Sequence, residues 1–153
     1  MKAIEPWVGV PLQTFLDDSN ARLTLLMTSA GQVIAQDGFT RSVDVMAASA
    51  LGAGIIASLD ALADVMGTGP FSAVLHQGSR QSLYLRAFET PRGRWIGLVV
   101  FGTETSAGLV QVFFRDLAER IAAAAPANGT MAAPLAATFE HELNASLRSL
   151  FGR

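Results

Sequence analysis

The chain has 153 residues, 50% of them hydrophobic and 16% charged, with a formal net charge of -2. That length fits one domain with a short appended segment, and it is enough to bury a core without cross-links. The absence of cysteine excludes a disulfide framework, a thiolate zinc site and a cysteine nucleophile, and the slightly acidic balance gives no pull on a phosphate backbone, so nucleic acid is not expected as a partner.

The opening MKAIEPWVGV holds no apolar run of signal-peptide length, and Pro6 interrupts it early. A first helix is predicted over 6–20, with Val8, Leu12, Phe15 and Leu16 on one side and a polar break from Asp17 to Asn20. Leu23 to Thr28 and Val33 to Ala35 are short apolar runs joined by Ser29-Ala30-Gly31, a hairpin signal. Asp44 is a fitting N-cap for a long alanine-rich helix over 45–66, which Gly67, Gly69 and Pro70 bring to an end. Three strand-like runs follow: Ser72 to His76, Ser82 to Phe88 and Trp95 to Phe101, with Pro91-Arg92-Gly93 turning between the last two. A last domain helix is predicted from Ser106 to Ala124, with Leu109, Val112, Phe113, Leu117 and Ile121 as its apolar stripe and Ser106 or Thr105 as its cap.

The order α-ββ-α-βββ-α, with short antiparallel connections, indicates an α+β domain around one five-stranded antiparallel sheet flanked by helices. The expected domain spans residues 5–125, with a linker at 126–134. A tail helix follows at 135–153, where Leu135, Phe139, Leu143 and Leu147 recur at helical spacing. That amphipathic tail either packs back on its own domain or docks on a partner.

Catalytic chemistry finds little footing. Ten of the 11 basic residues are arginine and the only lysine is Lys2. A phosphate-binding loop with its interior lysine cannot be built, and a Schiff-base lysine is not expected. His76 and His141 share no helix turn, so no local histidine pair for a metal is written. Ser79 and Ser82 have no evident base, and His76 reads more simply as a strand-end residue.

The long helix carries more information. No charged side chain falls between Asp44 and Asp60, and Ala50, Gly54, Ala57 and Ala61 lie at spacings of four, three and four. A helix without a charged face either is buried within its own monomer or offers an association surface. Its longest uncharged stretch, Val45 to Leu59, is too short and too rich in Ala, Gly and Ser to span a bilayer. The expectation is therefore a cytoplasmic protein without membrane insertion.

Taken together, LTLLMTSAGQVIAQDG, MAASALGAGIIASLDALADVMG, HQGSRQSLYLRAF and IGLVVFGTETSAGLVQVFFRDLAERI resemble the roadblock family of dimeric GTPase-associated proteins. Within it, His76, Gly78, Leu83 and Tyr84 and the FEHEL tail are similar to the bacterial MglB-like group. The resemblance implies a homodimer in which the edge strand after the long helix pairs with its mate and the two long helices lie side by side. Ala50, Val74 and His76 would then belong to the dimer interface. It further implies a Ras-like small GTPase of MglA type as partner, seated over Gly54, Ala57 and Ala61, with the tail residues Leu135, Phe139, Leu143 and Leu147 making a second contact. GTP hydrolysis would be stimulated by remodelling the partner's switch regions, in bacterial cell polarity and motility, with no cofactor and no catalytic site in this chain. Two other readings stay open: a scaffold that holds a GTPase without changing its rate, and a small-ligand sensor. An arginine supplied in trans is the usual electrostatic device of GTPase activation, and Arg80, beside a strand turn, is the one to test, although the resemblance does not require it.

Overall fold

The computed structural model describes residues 1–126. The tail helix expected at 135–153 and all but the first residue of the expected linker lie outside the described residues. The elements run β1 (Lys2–Ala3), α1 (Pro6–Ser19), β2 (Leu23–Thr28), β3 (Val33–Gly38), α2 (Val45–Met66), β4 (Ala73–Gln77), β5 (Ser82–Thr90), β6 (Gly93–Phe101) and α3 (Ala107–Ala124). The strands form one antiparallel sheet in the order β1-β3-β2-β6-β5-β4. Helix α2 covers one face, and α1 and α3 pack together on the other.

The sheet has six strands where five are expected from the sequence. The extra strand, β1, pairs Lys2 with Gln36 and Ala3 with Ala35. Two residues give no alternation to detect, so this strand exists only through the pairing that β3 offers it. Elsewhere the local chemistry places the boundaries. Pro6 opens α1 at a position where its missing N–H costs nothing, and Asn20 closes it in the left-handed region with φ 58°. The Asp44 carboxylate accepts a hydrogen bond from the Ala47 N–H at 3.1 Å, and the Ser106 hydroxyl accepts one from the Leu109 N–H at 3.2 Å. Gly67, at φ 64°, ends α2 by donating its N–H back to the Ala63 and Asp64 carbonyls.

Two apolar layers sandwich the sheet. The α1/α3 layer is organised by Phe114, whose ring meets Phe15, Tyr84 and Phe88 edge-to-face at centroid distances of 5.8, 5.5 and 5.6 Å. The face of α3 differs from the expected stripe: Val110, Phe114, Leu117 and Ile121 are buried, whereas Leu109 and Val112 are 50% and 45% exposed. Leu109, Val110, Val112, Phe113 and Phe114 are all apolar, so the sequence offers two overlapping stripes. The hollow over Gly97 selects the one that carries Phe114. The α2 layer joins Ala53 and Ile56 to Leu25, Met27, Leu85, Ile96 and Leu98.

Candidate functional site

Helix α2 buries only a narrow side. Ser49, Gly52, Ala53, Ile56 and Ala63 face the sheet. Gly52 stands close to it: a Cβ there would lie 3.4 Å from Leu85 Cδ2 and from Leu98 Cδ1. Gly54 has nothing within 4 Å of an added Cβ, so nothing among the described residues requires a glycine at that place. Towards the C-terminal end, Arg94 of β6 grips Asp60 with two hydrogen bonds, 2.6 and 3.2 Å long. That bonding holds the Asp60 carboxyl below its ordinary range and the Arg94 guanidinium above its own.

The outer side of α2 is apolar and open. Leu51 is 71% exposed, Val65 84% and Met46 78%. Leu51, Ile55, Ser58, Leu62 and Val65 follow one another at alternating steps of four and three, the spacing of a helix-pairing seam. The seam was legible in that spacing, yet the sequence reading singled out only the small residues beside it. Those small residues, Ala50, Gly54, Ala57 and Ala61, are all exposed and form an adjacent stripe. On the small-residue side, Ala50 meets Gly31 of the β2–β3 turn, where an added Cβ would come within 3.0 Å of the Ala50 Cα. On the bulky side, Leu51 and Ile55 border an apolar cavity of about 450 Å³ that runs under α2 towards Leu83, Gln81 and the exposed Phe39. By length and composition α2 is apolar enough to cross a membrane, which the count of uncharged residues in the sequence did not indicate. Its inner face packs on the sheet instead, and Asp60 is tied to β6.

Strand β4 lies at the end of the sheet. Among the described residues it pairs only with β5, so one row of its backbone groups has no described strand partner. Among the sequence-derived residues, Val74 is half-buried on the α2 side and His76 is exposed further along. Arg80 is exposed in the β4–β5 turn, which Gly78 closes through its N–H to the Gln81 carbonyl at 2.9 Å. The Gly102-to-Ser106 loop is taken up internally: Glu104 holds Arg22 at 2.7 Å, and Ser106 caps α3. Among the described residues, no group of three His, Asp or Glu is arranged to hold a metal ion.

The fold recurs in solved structures. Myxococcus xanthus MglB matches with a TM-score of 0.71 at 26% identity, covering 78% of this chain and 94% of that one. The chain has the roadblock fold and resembles MglB. The gliding protein MglB of Thermus thermophilus matches with a TM-score of 0.68 at 25% identity, over 78% of this chain and 88% of that one. A roadblock/LC7 domain from Streptomyces avermitilis shares the fold at 17% identity and a TM-score of 0.56, over 65% of this chain and 80% of that one. No family model matches the sequence, and no curated protein does.

Proposed function

We propose that this MglB-like chain is a homodimeric regulator of a Ras-like small GTPase of MglA type, and that it speeds the partner's GTP hydrolysis. The observations that carry the reading are the outer side of α2, where Leu51 and Val65 stand 71% and 84% exposed, and the edge of β4 that pairs with no described strand. Water-exposed apolar surface arranged in a continuous seam favours association, and a bare strand edge favours strand addition. In the proposed dimer two β4 strands pair, with Val74 and His76 at the joint, and the bulky seams of the two α2 helices meet. Ala50 belongs with them to the dimer interface, and Gly54, Ala57 and Ala61 then form the top of the platform. Small side chains there let the GTPase backbone approach closely.

The chain lacks the lysine-bearing phosphate loop of a nucleotide hydrolase. Its contribution is therefore made to a partner's active site, by reshaping the switch regions rather than by chemistry of its own. The tail at 135–153 supplies a second contact through Leu135, Phe139, Leu143 and Leu147, and the site of action is the bacterial cytoplasm, in cell polarity and gliding. Full-length protein added to a GTP-loaded candidate GTPase should accelerate phosphate release. Complex formation with an unchanged rate would leave the scaffold reading in its place. Ala57→Arg places a charge on an exposed position of the platform. It should abolish complex formation in a pull-down while leaving the melting curve unchanged, and wild-type affinity would remove the platform from consideration.

The apolar cavity beneath α2 favours a second reading, a small apolar ligand, since about 450 Å³ falls in the range of ligand pockets. A ligand of that kind would raise the melting temperature of the isolated protein, whereas a GTPase partner is not needed for it.

A further inference from the structure

On the face of the sheet opposite α2, strands β4 and β5 and helix α3 border a second cavity of about 410 Å³. Its polar lining is Ser72, Tyr84, Arg86, Gln111 and Arg115, and no carboxylate takes part. Each of these five side chains can donate a hydrogen bond. None of them makes one, or an ion pair, among the described residues. Tyr84 is 3% exposed, and its hydroxyl makes no hydrogen bond among the described residues and is open to solvent.

Arg86 stands apart from its peers. Four arginines among the described residues are half-buried: Arg22, Arg86, Arg92 and Arg94. Three of them face a carboxylate, Arg22 with Glu104 at 2.7 Å, Arg92 with Glu5 at 3.6 Å and Arg94 with Asp60 at 2.6 Å. Arg86 has only the ring of Phe114, 5.9 Å from its guanidinium carbon. Glu89 and Glu119 border a neighbouring hollow that Arg86 also lines, but neither pairs with it, so this partly buried guanidinium has no ion-pair partner among the described residues.

We propose that this cavity binds the phosphate group of a small phosphorylated molecule. Two guanidinium groups match the double charge of a phosphate monoester, and its several oxygens can accept from Tyr84, Gln111 and Ser72. A single carboxylate would leave one arginine unmatched. The volume exceeds the needs of a bare anion and fits a small organic phosphate. The lining comes from one copy of the chain, although Ser72, Ala73 and Leu75 place the cavity beside the β4 edge of the proposed dimer.

Calorimetric titration of the full chain with pyrophosphate, at ionic strength held constant with sodium chloride, tests the site. A parallel arm uses glycerol 3-phosphate to separate an organic phosphate from the inorganic ion, and saturation in either arm supports the proposal. Arg115→Gln, an exposed change on α3, should weaken binding about ten-fold, the usual effect of losing one hydrogen bond to a charged group. Arg86→Gln should weaken it at least as much, and Tyr84→Phe less. Absence of saturable heat in both arms, or undiminished affinity in Arg115→Gln, would overturn the proposal. Occupation of the cavity by the chain's own Glu140 or Glu142 would appear as that absence and count the same way.

Discussion

Phe114 fills the space that a side chain at position 97 would need: a Cβ built on Gly97 lies 2.3 Å from two atoms of its ring. Gly97→Ala is expected to destabilise the domain by about 1–3 kcal/mol, the cost of forcing volume into a packed layer, and a urea midpoint lowered at unchanged slope would record it. Asp60 offers a second test. Because Arg94 holds its carboxyl lower in the folded chain than in the unfolded one, the pair stabilises above the ordinary carboxylate pKa, near pH 4. That contribution fades as pH falls through the depressed folded value. Asp60→Asn should make the loss of stability between about pH 5 and pH 3 shallower. The change will be small, at most about 1 kcal/mol, because the two side chains are 37% and 35% exposed. At this scale the sequence was legible where chemistry is local. Asp44, Ser106 and Gly67 announce helix ends through neighbours one turn away. Gly97 under Phe114 and Arg94 on Asp60 were not legible, because each needs a partner that only the folded sheet brings near.

The long apolar run of α2 and its Asp44 cap defined that helix almost to the residue, and its uncharged middle marked it as either buried within the monomer or an association surface. Which side would be buried was harder to derive, since a helix of Ala, Gly, Leu and Ile has no polar side to exclude. The structure resolves it through Gly52, Ala53 and Ile56 against the sheet, leaving Leu51, Ile55 and Leu62 outward. Helix α3 posed the same ambiguity: Leu117 and Ile121 are buried as expected, but Val110 and Phe114 take the places expected of Leu109 and Phe113. Leu62 is 47% exposed and outside the core layers. Leu62→Glu should therefore leave the thermal midpoint within about 2 °C, yet light scattering should record weaker self-association. A large fall in midpoint would mean that the outer side of α2 is held within the monomer after all.

The whole molecule presents different ends. Loss of residues 135–153 should leave the melting curve of the domain intact and weaken the proposed complex with a GTPase; a collapse of melting would assign the tail to the core. Architecture at this scale was largely readable, because helix and strand runs of ordinary length appear in order along the chain. The short β1 was not, and its presence matters beyond the strand count. It caps β3 with two residues at one margin of the sheet, while β4 at the other margin stays bare. Ribbon-like growth needs two open margins; with one already blunted, a single addition uses up the remaining one. Assembly through β4, if two copies join there as proposed, would thus be self-limiting, and a stretch of backbone too brief to predict would stand between a closed pair and a fibre.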